Sequence, residues 1–403
     1  MTEMRIALAM IGARRHYAAP RLLHSAGLLE HFYTDICATQ GWPRLLKMFP
    51  KHWYPKSIRR LIGRIPIGIP EEKITSFPGF GVSYAYRLAR TRSLSERIAV
   101  YDWAGKRFNQ LIKQRGLGNI DAVYTFNGAG LSLMELAKSR GWMTVMEQTI
   151  APFRIENRII QEEQARYPEW ETPEIVSAYC IQEEAEWQSA DLILCGSEYV
   201  KAGITECGGP HERCTVVPYG VDDRFSWVQR DPHNGPLHIL TVGSVGLRKG
   251  APYVLEAARH LQGRAIFRMV GSIGVSPIAT VELRKYVELV GQVPRGELAR
   301  QYQWADVFLL PSLHEGSAGV VYEALSCGLP VLCTPNTGSV VQNGVHGFII
   351  PIRNAEVIRE KIELLAKDIA LRTEMSHHAR QRAEEYTLTQ YGRRLVHAIR
   401  AAG

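Results

Sequence analysis

The 403-residue chain contains no apolar run approaching the roughly 18 residues that a membrane-crossing helix needs. The opening MTEMRIALAMIGA lacks a cationic leader and reads as a first strand, so a cytoplasmic protein is expected, at most peripheral to a membrane. Cysteine is scarce. The seven (Cys37, Cys180, Cys195, Cys207, Cys214, Cys327 and Cys333) are odd in number and form no C-x-x-C pair, which argues for small buried hydrophobes rather than a disulfide frame or a zinc site. Internal repeats, low-complexity tracts and disordered tails are also missing.

What remains is a globular composition. With 46% hydrophobic residues the chain can fill two or three domain cores. Its formal charge of +8 favours an acidic partner, without choosing between nucleic acid, anionic lipid and sugar phosphates. Strand-like runs at Arg5–Ile11, Ala122–Phe126, Met143–Glu147 and Leu192–Cys195 alternate with helix-compatible text, then restart at Leu237–Val242, Ala265–Gly271, Val287–Val293 and Val307–Leu310. This alternation predicts an α/β protein with two Rossmann-like, doubly wound parallel sheets facing a cleft. The polar, proline-containing text at 222–236 marks the boundary, giving domains over 1–222 and 223–383. The charged region 155–191 breaks at its prolines into at least two helices, and its acidic cluster reads as a solvated face.

Residues 307–351 carry the densest chemistry. Glu315 and Glu323 lie eight positions apart, with Gly316, Ser317 and Gly319 between them. Small residues at a helix start leave its N–H groups open to an anion, and the helix dipole favours negative charge there. Eight residues at helical rise span about 12 Å, enough to reach from a sugar across a diphosphate to a ribose. Upstream, Gly243 is followed by Arg248 and Lys249 on a loop at another helix start, a fork and a point charge suited to a diphosphate. Near the N-terminus, Gly12 precedes Arg14, Arg15 and His16, which read equally as cleft residues meeting an acceptor or donor phosphates and as an exposed basic helix start.

These blocks resemble, in order and spacing, the retaining glycosyltransferases of the GT-B fold in family 4 (glycosyl transferases group 1). The resemblance rests on VPYGVDDRF at 217–225, ILTVGSVGLRKG at 239–250, GQVPRGELARQYQWADVFLLPS at 291–312 and EALSCGLPVLCT at 323–334, together with the E-x7-E pair. It implies transfer of a sugar from a nucleotide-diphospho sugar to a lipid-linked or glycan acceptor. Glu315, Arg248 and Lys249 would then be catalytic. Gly243, Ser317, Gly319, Val320, Val321 and Glu323 would bind the donor, and Gln292, Val293 and Arg295 would border its base. It also implies that 384–403 crosses back onto the first domain. Relatives often place a histidine after one of two first-domain strands. Here the text is TFNGAG and MEQTIAP, so Asn127, Glu147 or Gln148 would stand in its place. Where relatives carry an arginine after the first glycine this chain has Ser244, and Arg248 is expected to supply that charge. No D-x-D occurs, so no metal or other cofactor is expected.

Residues 41–70 hold seven Lys or Arg, no Asp or Glu, and Trp42, Phe49, Trp53 and Tyr54. Such a mixture suits an anionic membrane surface, with prolines dividing it into short helical pieces; an ordinary basic surface is the plainer alternative. No nucleic-acid motif accompanies the charge. Two other readings remain open, a catalytically silent nucleotide-sugar scaffold and a GT-B-fold epimerase; the cations and the bare helix start argue against a glycoside hydrolase, which would have no diphosphate to bind.

Overall fold

A computed structural model describes residues 4–48, 50, 53–171, 178–222, 224–225, 227, 233 and 235–403, without the side chains of Lys47, Lys56, Ser57, Ala178 and Arg295. Most of the expected linker at 222–236 therefore lies outside the described residues.

The first sheet has seven strands: β1 (Ile6–Met10), β2 (Leu29–Thr34), β3 (Ile74–Ser76), β4 (Ala122–Phe126), β5 (Met143–Gln148), β6 (Leu192–Cys195) and β7 (Cys214–Val216). Their order is β3-β2-β1-β4-β5-β6-β7. The second has six: β8 (Leu237–Val242), β9 (Ala265–Val270), β10 (Val287–Gly291), β11 (Val307–Leu310), β12 (Val331–Cys333) and β13 (Gly347–Ile349), in the order β10-β9-β8-β11-β12-β13. All pairings in the two sheets are parallel. Helices cover both faces of such sheets, so central strands read as continuous apolar runs. β1, β4, β6 and β11 are buried at every position. Strand order reverses beside β1 and beside β8, and ligands of doubly wound sheets collect at the carboxyl edge near such a point.

Two helices join the halves. Leu388–Ala402 packs against the first domain so closely that a methyl on Gly392 would lie 2.7 Å from Leu22. Helix Phe153–Arg166 leaves the first sheet but buries Ile155 and Ile159 in the core of the second. There the carboxylate of fully buried Glu163 accepts from Tyr253 Oη (2.7 Å) and Arg353 Nε (2.5 Å).

The expected solvated face at 155–191 is thus corrected. Glu163, Glu183 and Glu186 are buried because each has a distant partner to compensate it. Glu186 accepts from the backbone N–H groups of Gly128 (2.6 Å) and Gly130 (3.1 Å), fixing the loop after β4, although burial pushes its pKa up to about 7. The basic stretch does divide into short pieces, a 3-10 segment Trp42–Met48 and a helix Lys56–Ile62.

Candidate active site

The centre of the site is built by glycines. Gly243 ends β8 at φ 145°, and a Cβ there would lie 2.8 Å from Lys249 Cε, so the bare backbone gives the lysine stem its channel. The turn Leu247–Lys249 closes on Gly250, at φ 71°, where a methyl would meet the carbonyl of Pro311 at 2.2 Å. These close approaches bring two loops together. Leu313 N–H donates to the carbonyl of Arg248 (2.8 Å), and Arg248 Nη1 donates to that of His314 (3.0 Å). One carboxylate oxygen of Glu315 then accepts from Lys249 Nζ at 2.5 Å and Arg248 Nη1 at 3.1 Å.

Burial pushes the Glu315 pKa up, but Lys249 and Arg248 outweigh it and hold the carboxyl below its ordinary range. Burial lowers the Lys249 pKa against the pull of Glu315. Glu156 stands 3.7 Å from Arg248 Nε, its own pKa raised by burial. The cations expected to meet a diphosphate are therefore paired with the first glutamate of the E-x7-E spacing. Each keeps further N–H donors for a ligand.

Helix Gly319–Ser326 begins after Glu315, so only the later part of the spacing to Glu323 is helical. Ser317 Oγ bonds with Tyr322 Oη at 2.8 Å, and Ser317 O accepts from Arg15 Nη2 at 3.3 Å across the cleft. A methyl on Gly319 would sit 3.7 Å from the same guanidinium, so Arg15 lies at the helix start. Val320 is half-buried and Val321 buried. Glu323 accepts from Tyr302 Oη (2.8 Å). Gln292 is exposed and accepts from Arg60 of the basic stretch at 2.9 Å, and Val293 is half-buried beside it. Arg295 opens a helix at the same edge, its side chain outside those described.

On the first domain, Gly12 N–H donates to Asp35 Oδ1 (2.9 Å), and Arg64 donates to the other oxygen at 2.8 Å. Arg15, His16 and Tyr17 all adopt positive φ (47°, 52° and 60°). Three successive left-handed residues without glycine, at roughly 1–2 kcal/mol each, hold the two arginines apart. Arg15 stacks 3.3 Å above the Tyr219 ring toward the donor side, while exposed Arg14 donates to Thr149 Oγ1 at 3.0 Å. His16 is half-buried in that turn.

Of the three stand-ins for a cleft histidine, Asn127 lines a cavity. Glu147 is buried, accepting from Tyr124 Oη (2.5 Å) and Tyr219 Oη (2.8 Å), so it acts through Tyr219, the platform for Arg15. Gln148 is fully buried and spent on Glu183 (2.6 Å) and Trp187 Nε1 (3.0 Å). A carboxylate or amide committed in this way does not reach a substrate, which corrects both assignments.

Sequence reasoning did not single out His314. It is fully buried between the domains, where Nε2–H donates to the Ala151 carbonyl (3.0 Å) and Nδ1 accepts from Tyr199 Oη (3.2 Å). Burial pushes its pKa down to about 4, so the ring is neutral and serves as a clamp. Glu156 was equally hidden in the acidic text. Only the HEG sequence beside Glu315 hinted at His314.

Two facing doubly wound sheets, with a Lys–Glu–Arg cluster beside a bare helix start, define the GT-B class of architecture. The crystal structure of Anabaena HepE in complex with UDP and glucose superimposes over 99% of this chain and 100% of that one, with a TM-score of 0.62 at 12% identity, a likeness of fold. Residues 223–382 match the model of the family described as Glycosyl transferases group 1. The amylovoran biosynthesis glycosyltransferase AmsK of Erwinia amylovora is 30% identical over 185 residues, 42% of this chain and 46% of that protein. The N,N'-diacetylbacillosaminyl-diphospho-undecaprenol alpha-1,3-N-acetylgalactosaminyltransferase of Campylobacter jejuni is 30% identical over 151 residues, 37% of this chain and 40% of its own. The chain spans about half the length of the curated relatives it matches.

Proposed function

We propose that the protein is a retaining glycosyltransferase that moves a hexosyl unit from a nucleotide-diphospho sugar to a hydroxyl of a lipid-linked or glycan acceptor, without a metal. The observation that carries this is the Lys249–Glu315–Arg248 cluster beside the start of helix Gly319–Ser326, with Arg15 reaching it from the opposite domain. Preorganised cations and helix amides stabilise charge where it develops in a transition state, with no reorganisation at the moment of reaction. As the anomeric carbon–oxygen bond to the diphosphate breaks, Lys249, Arg248, Arg15 and those amides take up the charge. The acceptor oxygen forms the new bond on the same face, and its proton passes to the departing phosphate oxygen. Glu315 holds sugar hydroxyls, and Glu323 the ribose.

A panel of UDP, GDP and ADP sugars tests this by thermal shift, since a true donor stabilises the fold by RT ln(1 + [L]/Kd). One base series should raise the melting temperature, and turnover of that donor with acceptor should persist in EDTA. Loss of turnover restored by a divalent cation would overturn the metal-free reading.

A relative named for a diphospho-undecaprenol substrate supports a lipid-linked acceptor. The described part of 41–70 supports docking at a cytoplasmic membrane face. Among the described residues no helix is long and apolar enough to cross a membrane. Yet Met48 is 76% and Trp53 68% exposed, with Trp42, Leu45 and Ile67 also in solvent near Arg59 and Arg60. Aromatics and aliphatics enter the interface while cations meet the headgroups. Flotation with anionic liposomes should therefore be lost in high salt and reduced about fivefold for each of Lys56, Arg59 and Arg60 removed, from roughly 1 kcal/mol per cation. Binding that ignores both changes would leave the surface without this role.

A further inference from the structure

We infer that the acceptor carries an anionic group, a carboxylate or phosphate, on the sugar unit seated in the first-domain cavity, and that Arg14 reads it. This rests on the transfer reading above and names the substrate class of its acceptor side.

The cavity has a volume of about 320 Å³, at the small end of ligand pockets (roughly 300–1,000 Å³), which suits a single sugar unit. Its polar lining is Arg14, Asn127, Thr149 and the tyrosines Tyr84, Tyr101 and Tyr179, with no carboxylate. Arg14 is thus the cavity's charged group, and among the described residues it makes no ion pair. Its partners are neutral: the Thr149 hydroxyl at 3.0 Å and the ring of Phe126, 5.3 Å from Cζ. The larger cavity beyond helix Phe153–Arg166, about 790 Å³, is different in kind, because Arg92, Arg97 and Arg248 share it with Glu156, Glu169 and Glu171.

The hydrogen bonds around Arg14 run in one direction. Arg14 donates to Thr149 Oγ1, which donates to Asn127 Oδ1 (2.9 Å), and Thr149 N–H donates to the same oxygen (3.2 Å). That fixes the amide of Asn127 with its Nδ2–H groups as the donors left over. A guanidinium and an amide, both offering N–H, make an acceptor-poor wall that favours an anion over a hydroxyl. Tyrosine rings supply faces for the sugar. Gly128 is required for this wall, since a methyl there would meet Tyr179 Oη at 2.4 Å.

The cavity also adjoins the donor site. Ile150, in its lining, pairs with Gly316, and Ala151 N–H donates to the carbonyl of Glu315 at 3.1 Å. Arg14 and Arg15, adjacent in sequence, thereby serve the two sides of the cleft.

The test compares methyl α-D-glucopyranoside, its glucuronate and glucose 1-phosphate by saturation-transfer NMR titration, with whichever of UDP, GDP and ADP stabilises the fold present. The wild-type chain should bind one or both charged sugars about tenfold or more tightly than the neutral one; preference for the carboxylate marks a uronosyl acceptor, and for the phosphate a phosphorylated or lipid-diphosphate one. R14Q, which can keep the Thr149 hydrogen bond, and N127D, which can keep both Thr149 bonds while adding a negative charge, should each erase the preference at an unchanged melting temperature. Equal binding of all three sugars, no binding of any, or a preference that survives both substitutions would overturn the proposal. The thermal shifts of the same samples with UDP, GDP and ADP report the donor site alone. Absence of a shift with all three, beside intact sugar selection, would sink the transfer reading and leave the pocket standing.

Discussion

Glu315→Ala and Lys249→Ala are each expected to lower transfer by about 10²–10³-fold, the usual loss when one preorganised electrostatic group is removed, while moving nucleotide affinity in opposite directions. Glu315 now occupies both cations, at 2.5 Å and 3.1 Å. An arriving diphosphate must share them and meets the repulsion of the carboxylate. Removing Glu315 frees both, so the nucleoside diphosphate of the identified donor should bind about tenfold or more tightly even as turnover falls. Removing Lys249 deletes an attractive charge, and the same nucleoside diphosphate should bind correspondingly more weakly. Breaking a buried pair also costs roughly 3–5 kcal/mol of stability when it strands a charge. Lysine can escape that cost by losing its proton, and burial already depresses its pKa. Glu315→Gln preserves shape should the alanine variant unfold. Turnover with the identified donor and the thermal shift by its nucleoside diphosphate check the pair; near-normal rates in either variant, or affinities that shift together, would dismantle the assignment.

Much of this frame is legible in the sequence for a physical reason. Central strands of a covered parallel sheet are apolar on both faces, so Ala122–Phe126, Leu192–Cys195, Leu237–Val242 and Val307–Leu310 stand out without any partner in view. Strands toward the edges do not. LEHFYT at Leu29–Thr34 carries a glutamate and a histidine, and Ile74–Ser76, Cys214–Val216 and Gly347–Ile349 are three residues each, too short for any periodicity. In the site, Arg248, Lys249 and Glu315 are readable because their neighbours are glycines at fixed offsets. Glu163, Glu186 and Glu147 are misread because what buries them is a tyrosine, two amides and two more tyrosines, most of them more than fifty residues away. A carboxylate's text does not say whether its partner is water or protein. The same holds for His314, whose clamp role depends on Ala151 and Tyr199 arriving from the other domain.

That seam makes Gly316 the position where one methyl should do most harm outside the charged cluster. A Cβ on Gly316 would lie 2.1 Å from the carbonyl oxygen of Thr149 and 2.7 Å from Ile150 Cα. Both are backbone atoms at the end of a sheet strand, so neither can yield as a flexible side chain does. Gly316→Ala must therefore part the segment Thr149–Ala151 from Glu315–Ser317, losing the hydrogen bonds from Ala151 N–H to Glu315 O (3.1 Å) and from Ser197 Oγ to Gly316 O (2.5 Å). Overpacking of this kind costs about 1–3 kcal/mol, which two complete cores should survive. Displacing reacting groups by about 1 Å costs transfer roughly 10²-fold. The expected result is a folded protein that still shows the thermal shift of its nucleoside diphosphate, transfers sugar about a hundredfold more slowly, and exchanges backbone hydrogen faster at 149–151 and 315–317. Gly79→Ala is the control: a Cβ there meets nothing within 4 Å in helix Pro78–Ala89, and alanine should leave turnover unchanged and stability equal or higher by up to about 1 kcal/mol. If Gly316→Ala behaved like Gly79→Ala, the domains would not need this contact to set the reacting geometry, and the grip of the first domain on Glu315 would be incidental to catalysis.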